Sequence, residues 1–276
     1  MSINLRESLN AISDVIINRP RPIRAFDQIF MKAADMLLQT EHVGRQFDGR
    51  RVVCVGDGDA IGVCLVHLHQ QKHLEHGPRS VHVLDFDERV VMSVRRFAKA
   101  YGLEGRLTSE LYNVIDPLPK KHWRKFEGFY TNPPFGAYNK GRSVRAFALR
   151  GEEAIGRDGV GCLVIADDRR HAWSRKVLRS TEQQMLDAGF VISQLIPEFH
   201  GYHLDDDANL TSCSLVVRRI EPPRGRYASK PLDREQLADF YGRDRDLRVR
   251  YVRDLTRGSH FQSTDYEFEY LDGGKR

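Results

Sequence analysis

Three short stretches hold the side chains that could do chemistry. Residues 129–141 read FYTNPPFGAYNKG, with Asn132 followed by Pro133, Pro134 and Phe135. Both prolines lack an N–H, so the run can neither continue a helix nor pair inside a sheet. It predicts a rigid turn in which a backbone carbonyl and the Asn132 side-chain oxygen accept from the N–H groups of an amine. Two acceptors fix where the amine's lone pair points, Phe135 supplies an apolar wall against water, and such positioning contributes several kcal/mol to a displacement reaction. The plainer reading is an ordinary proline-rich loop.

The second stretch is VGDGDAIG, residues 55–62, between an apolar strand and a helix. Gly56 and Gly58 let the backbone turn tightly and approach a ligand. The LDFD that follows the next strand strengthens it, because Asp85 or Asp87 can accept from both hydroxyls of a ribose; Asp87 reads as closer to the strand end. The third glycine of a dinucleotide pattern is replaced, with Ala60 two residues beyond Gly58, and Asp57 and Asp59 would repel a pyrophosphate. A cationic nucleoside is therefore favoured, either S-adenosylmethionine or its decarboxylated form. The competing reading is a solvated turn whose aspartates cap the helix. The third stretch is HLDDDANL, residues 203–210. Asp205, Asp206 and Asp207 either bind the ammonium groups of a polyamine or form a solvated loop. Asp167 and Asp168 end the fifth strand on the ligand side and are the next candidates to meet a cationic substrate. His171, Trp173, Tyr202 and His203 line the same mouth, or pack at the surface.

These residues need elements to hold them. Residues 1–45 read as helical, with apolar spacing in LRESLNAISDVII, a break at NRPRPIR, and a second amphipathic pattern in AFDQIFMKAADMLLQT. From residue 51, strands and helices alternate: RRVVCVG, SVHVLDF, a weaker strand near GRLTSELYNVI, FEGFYT, a helix around SVRAFALRGEEAIG, VGCLVIADD, and a helix ending near MLDAGF. Two late strands follow, FVISQLIPEF and TSCSLVVRR, joined only by a loop, so one enters antiparallel. Alternation of this kind requires right-handed crossovers and a mostly parallel sheet. The expected fold is α/β and class I methyltransferase-like (Rossmann-like), with an antiparallel final strand and helices on both faces. Residues 1–48 form a helical extension, 49–220 the catalytic domain and 221–276 an appendage, where LDREQLADFYG suggests a short helix and DYEFEYL a small strand.

Composition narrows the classes. Across 276 residues, 41% hydrophobic and 29% charged content are those of a soluble globular chain. No run approaches the ~20 apolar residues of a membrane span, and the first residues lack the apolar block of a signal peptide, so a cytoplasmic protein without membrane contact is expected. Cys54, Cys64, Cys162 and Cys213 lie in apolar runs without a CxxC, as buried reduced thiols do. His67 with His69, and His200 with His203, lack a partner set, so no metal is expected. A net charge of +5 suits an anionic partner, but arginine is spread along the chain, as on a solvated basic surface.

NPPF resembles the signature of amino-group methyltransferases acting on adenine, cytosine or glutamine. Longer segments, in order, resemble the branched-chain polyamine synthase family, which includes the bis(aminopropyl)spermidine synthases. They are RPRPIRAFDQIFMKAADMLLQTEHVGRQFDGRRVVCVGDGDAIG, VLDFDERV, FYTNPPFGAYNKGRSVRAFALRGEEAIG and EFHGYHLDDDANLTSCSLVV, within residues 18–220. The resemblance implies transfer of an aminopropyl group from decarboxylated S-adenosylmethionine to an amine nitrogen, with release of methylthioadenosine. It matches Gly56, Asp57, Gly58 and Asp59 to the family's Gly-Asp-Asp-Asp turn, and Asn132, Pro133, Pro134 and Phe135 to its Asp-Pro-Pro-Tyr type segment. Gly58 replaces an acid, and Asn132 replaces a carboxylate. The second departure matters more. An amine with a pKa of about 10 is protonated at neutral pH, and Asn132 cannot be the base that frees it. Asp57, Asp59 or Asp167 is left for that role. The N-terminus also leaves little room for the winged-helix domain of longer family members. The alternative is an S-adenosylmethionine-dependent N-methyltransferase, with nucleic acid a partner only in that case. A third reading is a non-catalytic relative. A small-molecule amine is the expected partner, and a homodimer is a possible assembly.

Overall fold

The computed structural model describes residues 5–204, 207, 209–222, 226–244, 247–259 and 264–274. Seven strands form one sheet in the order β3-β2-β1-β4-β5-β7-β6. They are β1 (Arg51–Val55), β2 (Ser80–Asp85), β3 (Leu107–Leu111), β4 (Phe126–Thr131), β5 (Ile155–Ala166), β6 (Phe190–Gly201) and β7 (Thr211–Arg219). All pairings from β3 to β5 are parallel, and β7 runs antiparallel between β5 and β6. This is the expected class I methyltransferase-like arrangement. The VVCV run of β1 is buried on both faces, as a central parallel strand must be.

Helices α3 (Ile61–Gln70), α4 (Glu88–Ala100), α5 (Arg142–Ala154) and α6 (Ala172–Asp187) cover the sheet. In α4, Val90, Val91, Val94, Phe97 and Ala98 recur at helical spacing and form the buried stripe. Apolar clusters fill the space on both faces of the sheet. All four cysteines are buried free thiols. Among the described residues, no helix is long and apolar enough to cross a membrane.

The chain ends depart from expectation in two places. α1 (Leu5–Asn18) and α2 (Ala33–Gln46) pack on α3, but the helical pattern expected from Ala25 starts only at Ala33. Met31 bridges Tyr202, Lys32 donates its N–H to the Gly201 carbonyl at 3.1 Å, and His203 donates to Phe30 at 3.1 Å. Residues 30–32 are thus drawn out as a short extended partner to the end of β6. After residue 220, the single expected strand proves to be a pair, β8 (Val249–Asp254) with β9 (Tyr266–Tyr270), packed against α4. The short helix α7 (Arg234–Leu237) begins with a capping box between Asp233 and Gln236. Arg150, fully buried in α5, anchors the segment between β7 and α7 through the Ser229 hydroxyl and the Lys230 carbonyl.

Candidate active site

Parallel sheets of this type hold ligands beyond the carboxyl ends of the strands, where the strand order reverses. Here the reversal lies between β1 and β4, and a cavity open to solvent occupies it. Its floor is made by the residues that leave four neighbouring strands. Gly56, Gly58 and Asp59 follow β1; Leu84, Asp85 and Phe86 end β2; Tyr112, Asn113 and Val114 follow β3; and Asn132, Pro133 and Pro134 follow β4. Phe147 of α5, Tyr241, and residues 26–30 complete the wall.

The two turns meet. Asn132 Nδ2 donates to Asp59 Oδ2 at 2.6 Å. Because the amide nitrogen faces the carboxylate, Asn132 Oδ1 is left as the acceptor end of that side chain. Thr131 Oγ1 donates to the Val55 carbonyl at 2.7 Å and ties the two strand ends together. Gly56 has φ +70, and a Cβ there would lie 2.8 Å from Phe147 Cε1, so only glycine fits. Gly62 performs the close strand–helix contact: a Cβ there would meet Cys54 Sγ and Asp57 Oδ2, both at 2.8 Å.

The four aspartates of the strand ends divide into two kinds. Asp59 and Asp85 line the cavity, whereas Asp57 and Asp87 do not. Asp57 is buried behind the turn, where its carboxylate accepts the Gly62 N–H at 2.9 Å and caps α3. Burial pushes its carboxyl well above the usual range, and the negative charges of Asp59 and Asp85 add to that. Asp87 caps α4 through the Arg89 N–H at 3.0 Å and holds the Arg89 guanidinium in a two-pronged pair at 3.0 and 2.6 Å. β2 itself ends at Asp85, so the expectation that Asp87 lay closer to the strand end is corrected. Asp85 accepts from the backbone N–H of Asp57 and of Asp87, at 3.1 and 2.9 Å. Burial raises its carboxyl to about 7, helped by the charge of Asp87.

Asp59 is the acid in contact with both turns. Its Oδ1 accepts the Met31 N–H at 2.9 Å and lies 3.5 Å from Arg19, whose guanidinium stacks on Phe30. Burial nonetheless holds the Asp59 carboxyl above the usual range, against the pull of Arg19, Met31 and Asn132. Asp27, which sequence reasoning passed over, also lines the cavity, and its Oδ2 accepts the Phe135 N–H at 3.3 Å. Phe135 departs from its expected place. Its ring is buried against Tyr202, 5.7 Å between centroids, and does not line the cavity. The apolar wall comes instead from Phe26, Phe30, Phe86, Phe147 and Tyr241. Among the described residues, three aspartates line the cavity and no lysine or arginine does.

The acids at the end of β5 lie elsewhere. Asp168 is paired with Arg170 at 2.5 Å, and Asp207 accepts from His171 at 2.9 Å and Arg170 at 3.1 Å. Asp167 accepts the Glu198 N–H at 3.1 Å. None of the three lines the cavity. Asp205 and Asp206 fall outside the described residues.

Comparison with known proteins identifies the family. Residues 7–257 match the family described as the branched-chain polyamine synthase A C-terminal domain. The chain belongs to that family. Similarity to its named relatives is modest. The chain is 27% identical over 199 residues to the N(4)-bis(aminopropyl)spermidine synthase of Thermococcus kodakarensis, covering 71% of this chain and 53% of that protein. It is 29% identical over 186 residues to the Thermus thermophilus protein of the same name, covering 67% and 50%. It spans between about a third and just over half of the curated relatives it matches, 35% to 54% of their lengths. The branched-chain polyamine synthase of Thermus thermophilus, solved with N4-aminopropylspermidine and 5'-methylthioadenosine, superposes with a TM-score of 0.67 at 22% identity, over 83% of this chain and 69% of that one. PH1948 of Pyrococcus horikoshii shares the fold at a TM-score of 0.56 and 13% identity, over 79% of this chain and 100% of that one.

Proposed function

We propose that this branched-chain polyamine synthase family member transfers an aminopropyl group from decarboxylated S-adenosylmethionine to a nitrogen of a polyamine, releasing methylthioadenosine. One observation carries the reading: the cavity between the two turns is lined by Asp27, Asp59 and Asp85 and, among the described residues, by no cationic side chain, since Arg24 beside Asp27 and Arg19 beside Asp59 stay out of the lining. Ordinary S-adenosylmethionine brings a carboxylate that such a wall repels. The decarboxylated donor and a polyamine are both cationic, and both gain from it. The relatives named for aminopropyl transfer support the same conclusion.

In this reading the donor's adenosine lies over Gly56 and Gly58, with its ribose hydroxyls donating to Asp85. The acceptor amine is held by Asn132 Oδ1 and a backbone carbonyl of the Pro133–Pro134 turn. As the new N–C bond forms, the C–S bond of the sulfonium breaks and its electrons remain on the thioether sulfur. The amine's proton passes to Asp59, whose raised affinity for protons suits it to be the base. Asp27, on the far side of the proline turn, neutralises a second ammonium of the acceptor. The aromatic wall keeps water from competing as nucleophile.

Asn132 itself favours a second reading, transfer of a methyl group from S-adenosylmethionine to an amino group, because a neutral acceptor amine needs no base. Incubation with each donor and a panel of linear polyamines, read by product mass, separates the two. A gain of one or two aminopropyl groups with the decarboxylated donor is expected. A methylated product formed only from S-adenosylmethionine would overturn the proposal, as would tighter calorimetric binding of the carboxylated donor.

A further inference from the structure

His82, Glu110 and His122 stand 28 and 12 residues apart in the chain, and the fold brings them to one point. His82 lies on β2, Glu110 on the neighbouring edge strand β3, and His122 on the turn that leads into β4. One donor atom of each lies within 4.8 Å of the others. His122 Nε2 is 3.0 Å and His82 Nε2 3.8 Å from Glu110 Oε2. We propose that this cluster is a binding site for a divalent transition-metal ion, separate from the substrate cavity and independent of the reaction proposed above.

Three features point to a metal rather than to a plain ion pair. Donors about 2.0–2.2 Å from a tetrahedral zinc are separated by roughly 3.3 Å, which falls between the 3.0 and 3.8 Å that separate Glu110 Oε2 from the two imidazole nitrogens. His82 Nδ1 lies 2.8 Å from Thr108 Oγ1, which fixes the ring; with the proton on Nδ1 this is the outer hydrogen bond that metal-binding imidazoles commonly make, and it leaves the lone pair on Nε2. Nε2 itself is buried and has no hydrogen-bond partner, which is costly for a polar atom unless something fills the space before it. Two imidazoles and one carboxylate leave a fourth position for water. They select zinc, nickel or copper over magnesium and calcium, which prefer all-oxygen sets.

One group competes for the site. Lys121 Nζ lies 2.7 Å from Glu110 Oε2, and most of its side chain is exposed, so it can swing away. In the metal-free chain it supplies the positive charge that the ion would bring. The ion would join β2, β3 and the turn before β4. It would sit about one strand repeat, ~7 Å, behind Leu84 and Tyr112, which share the strand face of His82 and Glu110 and line the cavity. Its effect would be to clamp the sheet edge that carries the ribose-side wall.

The test titrates zinc chloride into the whole chain by calorimetry, with cobalt(II) absorbance as a second readout of tetrahedral geometry. One ion per chain is expected, with a higher melting temperature. His122→Ala should weaken binding at least about tenfold. Lys121→Ala should strengthen it, and this exposed substitution keeps the test alive should His122→Ala fail to fold. No binding by the native chain overturns the proposal. So does binding that survives His122→Ala but is lost in His171→Ala, which would assign the ion to the Asp168–His171–Asp207 group. Unchanged affinity in Lys121→Ala also counts against it.

Discussion

Two groups of aspartates end the strands of this sheet, and their surroundings give them opposite properties. Around the cavity, burial raises Asp59 and Asp85 above the usual carboxylate range. At the end of β5, hydrogen bonds from Arg170 hold Asp168 below it, and His171 and Arg170 hold Asp207 below it in spite of burial. The first group is desolvated and borders open space without a lysine or arginine among the described lining residues. The second already has its cations. Arg19 lies 3.5 Å from Asp59 and Arg24 3.3 Å from Asp27, but neither enters the lining, and at Asp59 burial outweighs the pull of Arg19, whereas at Asp168 the hydrogen bonds from Arg170 outweigh burial. Acidity along the sequence therefore marks two regions, and the site is marked by the one in which burial outweighs pairing.

The largest expected effect comes from the acid that joins both turns. Asp59→Asn should cut the rate of group transfer by about 10²-fold or more, the usual contribution of a positioned base. Affinity for methylthioadenosine should change by less than about threefold, since no part of the nucleoside is assigned to Asp59. Rates by product mass and affinities by calorimetry check both. Retention of more than a tenth of the rate would move the base elsewhere, with Asp27 next. Asn132→Ala should cost less, about tenfold in rate, and should likewise spare nucleoside affinity.

Much of this was legible in the sequence, and the losses have physical causes. Strand and helix order followed from apolar periodicity, and the meeting of GDGD with NPPF followed from the rule that both turns leave the same edge of a parallel sheet. The fate of each aspartate did not follow. Asp85 and Asp87 are two residues apart, and only the point where β2 ends, with Arg89 folding back on Asp87, separates a cavity acid from a helix cap. Asp57 looks like its neighbour Asp59 until the backbone turns it toward the Gly62 N–H. Residues 26–30 and Tyr241 were missed because they reach the cavity by tertiary contact alone. Phe26 stacks edge-on with Phe86 and Tyr241, each 5.2 Å between centroids. β8 was hidden because its VRYVRD run alternates too weakly to stand out from its arginines.

The contrast between Asp85 and Asp87 is sharpened by exchanging each for asparagine. Asp85→Asn should weaken methylthioadenosine binding about tenfold, the worth of hydrogen bonds to a charged acceptor. Asp87→Asn should leave that affinity within about twofold and lower the melting temperature instead, because it strands the buried Arg89 guanidinium. A smaller effect is linked to pH. The folded chain holds the Asp85 proton to about pH 7, while the unfolded chain releases it near 4. Stability from this group is complete below that lower value and is lost as pH rises to about 7. His200, pushed down to about 3 by burial, acts in the opposite sense, losing stability as pH falls below its ordinary range. The measurement is therefore the difference between native and Asp85→Asn melting curves, which should narrow in favour of the variant as pH rises from 5 to 8.

The smallest effect is expected where the sequence looked most acidic. Asp168→Asn and Asp207→Asn should change the KM for a polyamine acceptor by less than about twofold, because each removes a carboxylate whose charge Arg170 and His171 already balance. Stability should change little as well: the Arg170 side chain is 49% exposed, and partly solvated ion pairs contribute about 0–1 kcal/mol. The informative variant is Arg170→Ala. It takes the guanidinium from both acids without removing either, and leaves His171 as the remaining partner of Asp207. Acceptor affinity should then rise, most visibly at low salt, where screening is weakest. A tenfold increase in KM for Asp168→Asn in the native background would show the opposite, that the acceptor displaces Arg170 and reads these acids directly. In that case pairing does not disqualify a carboxylate from binding, and the distinction between the two regions would be one of exchange between cations rather than of burial.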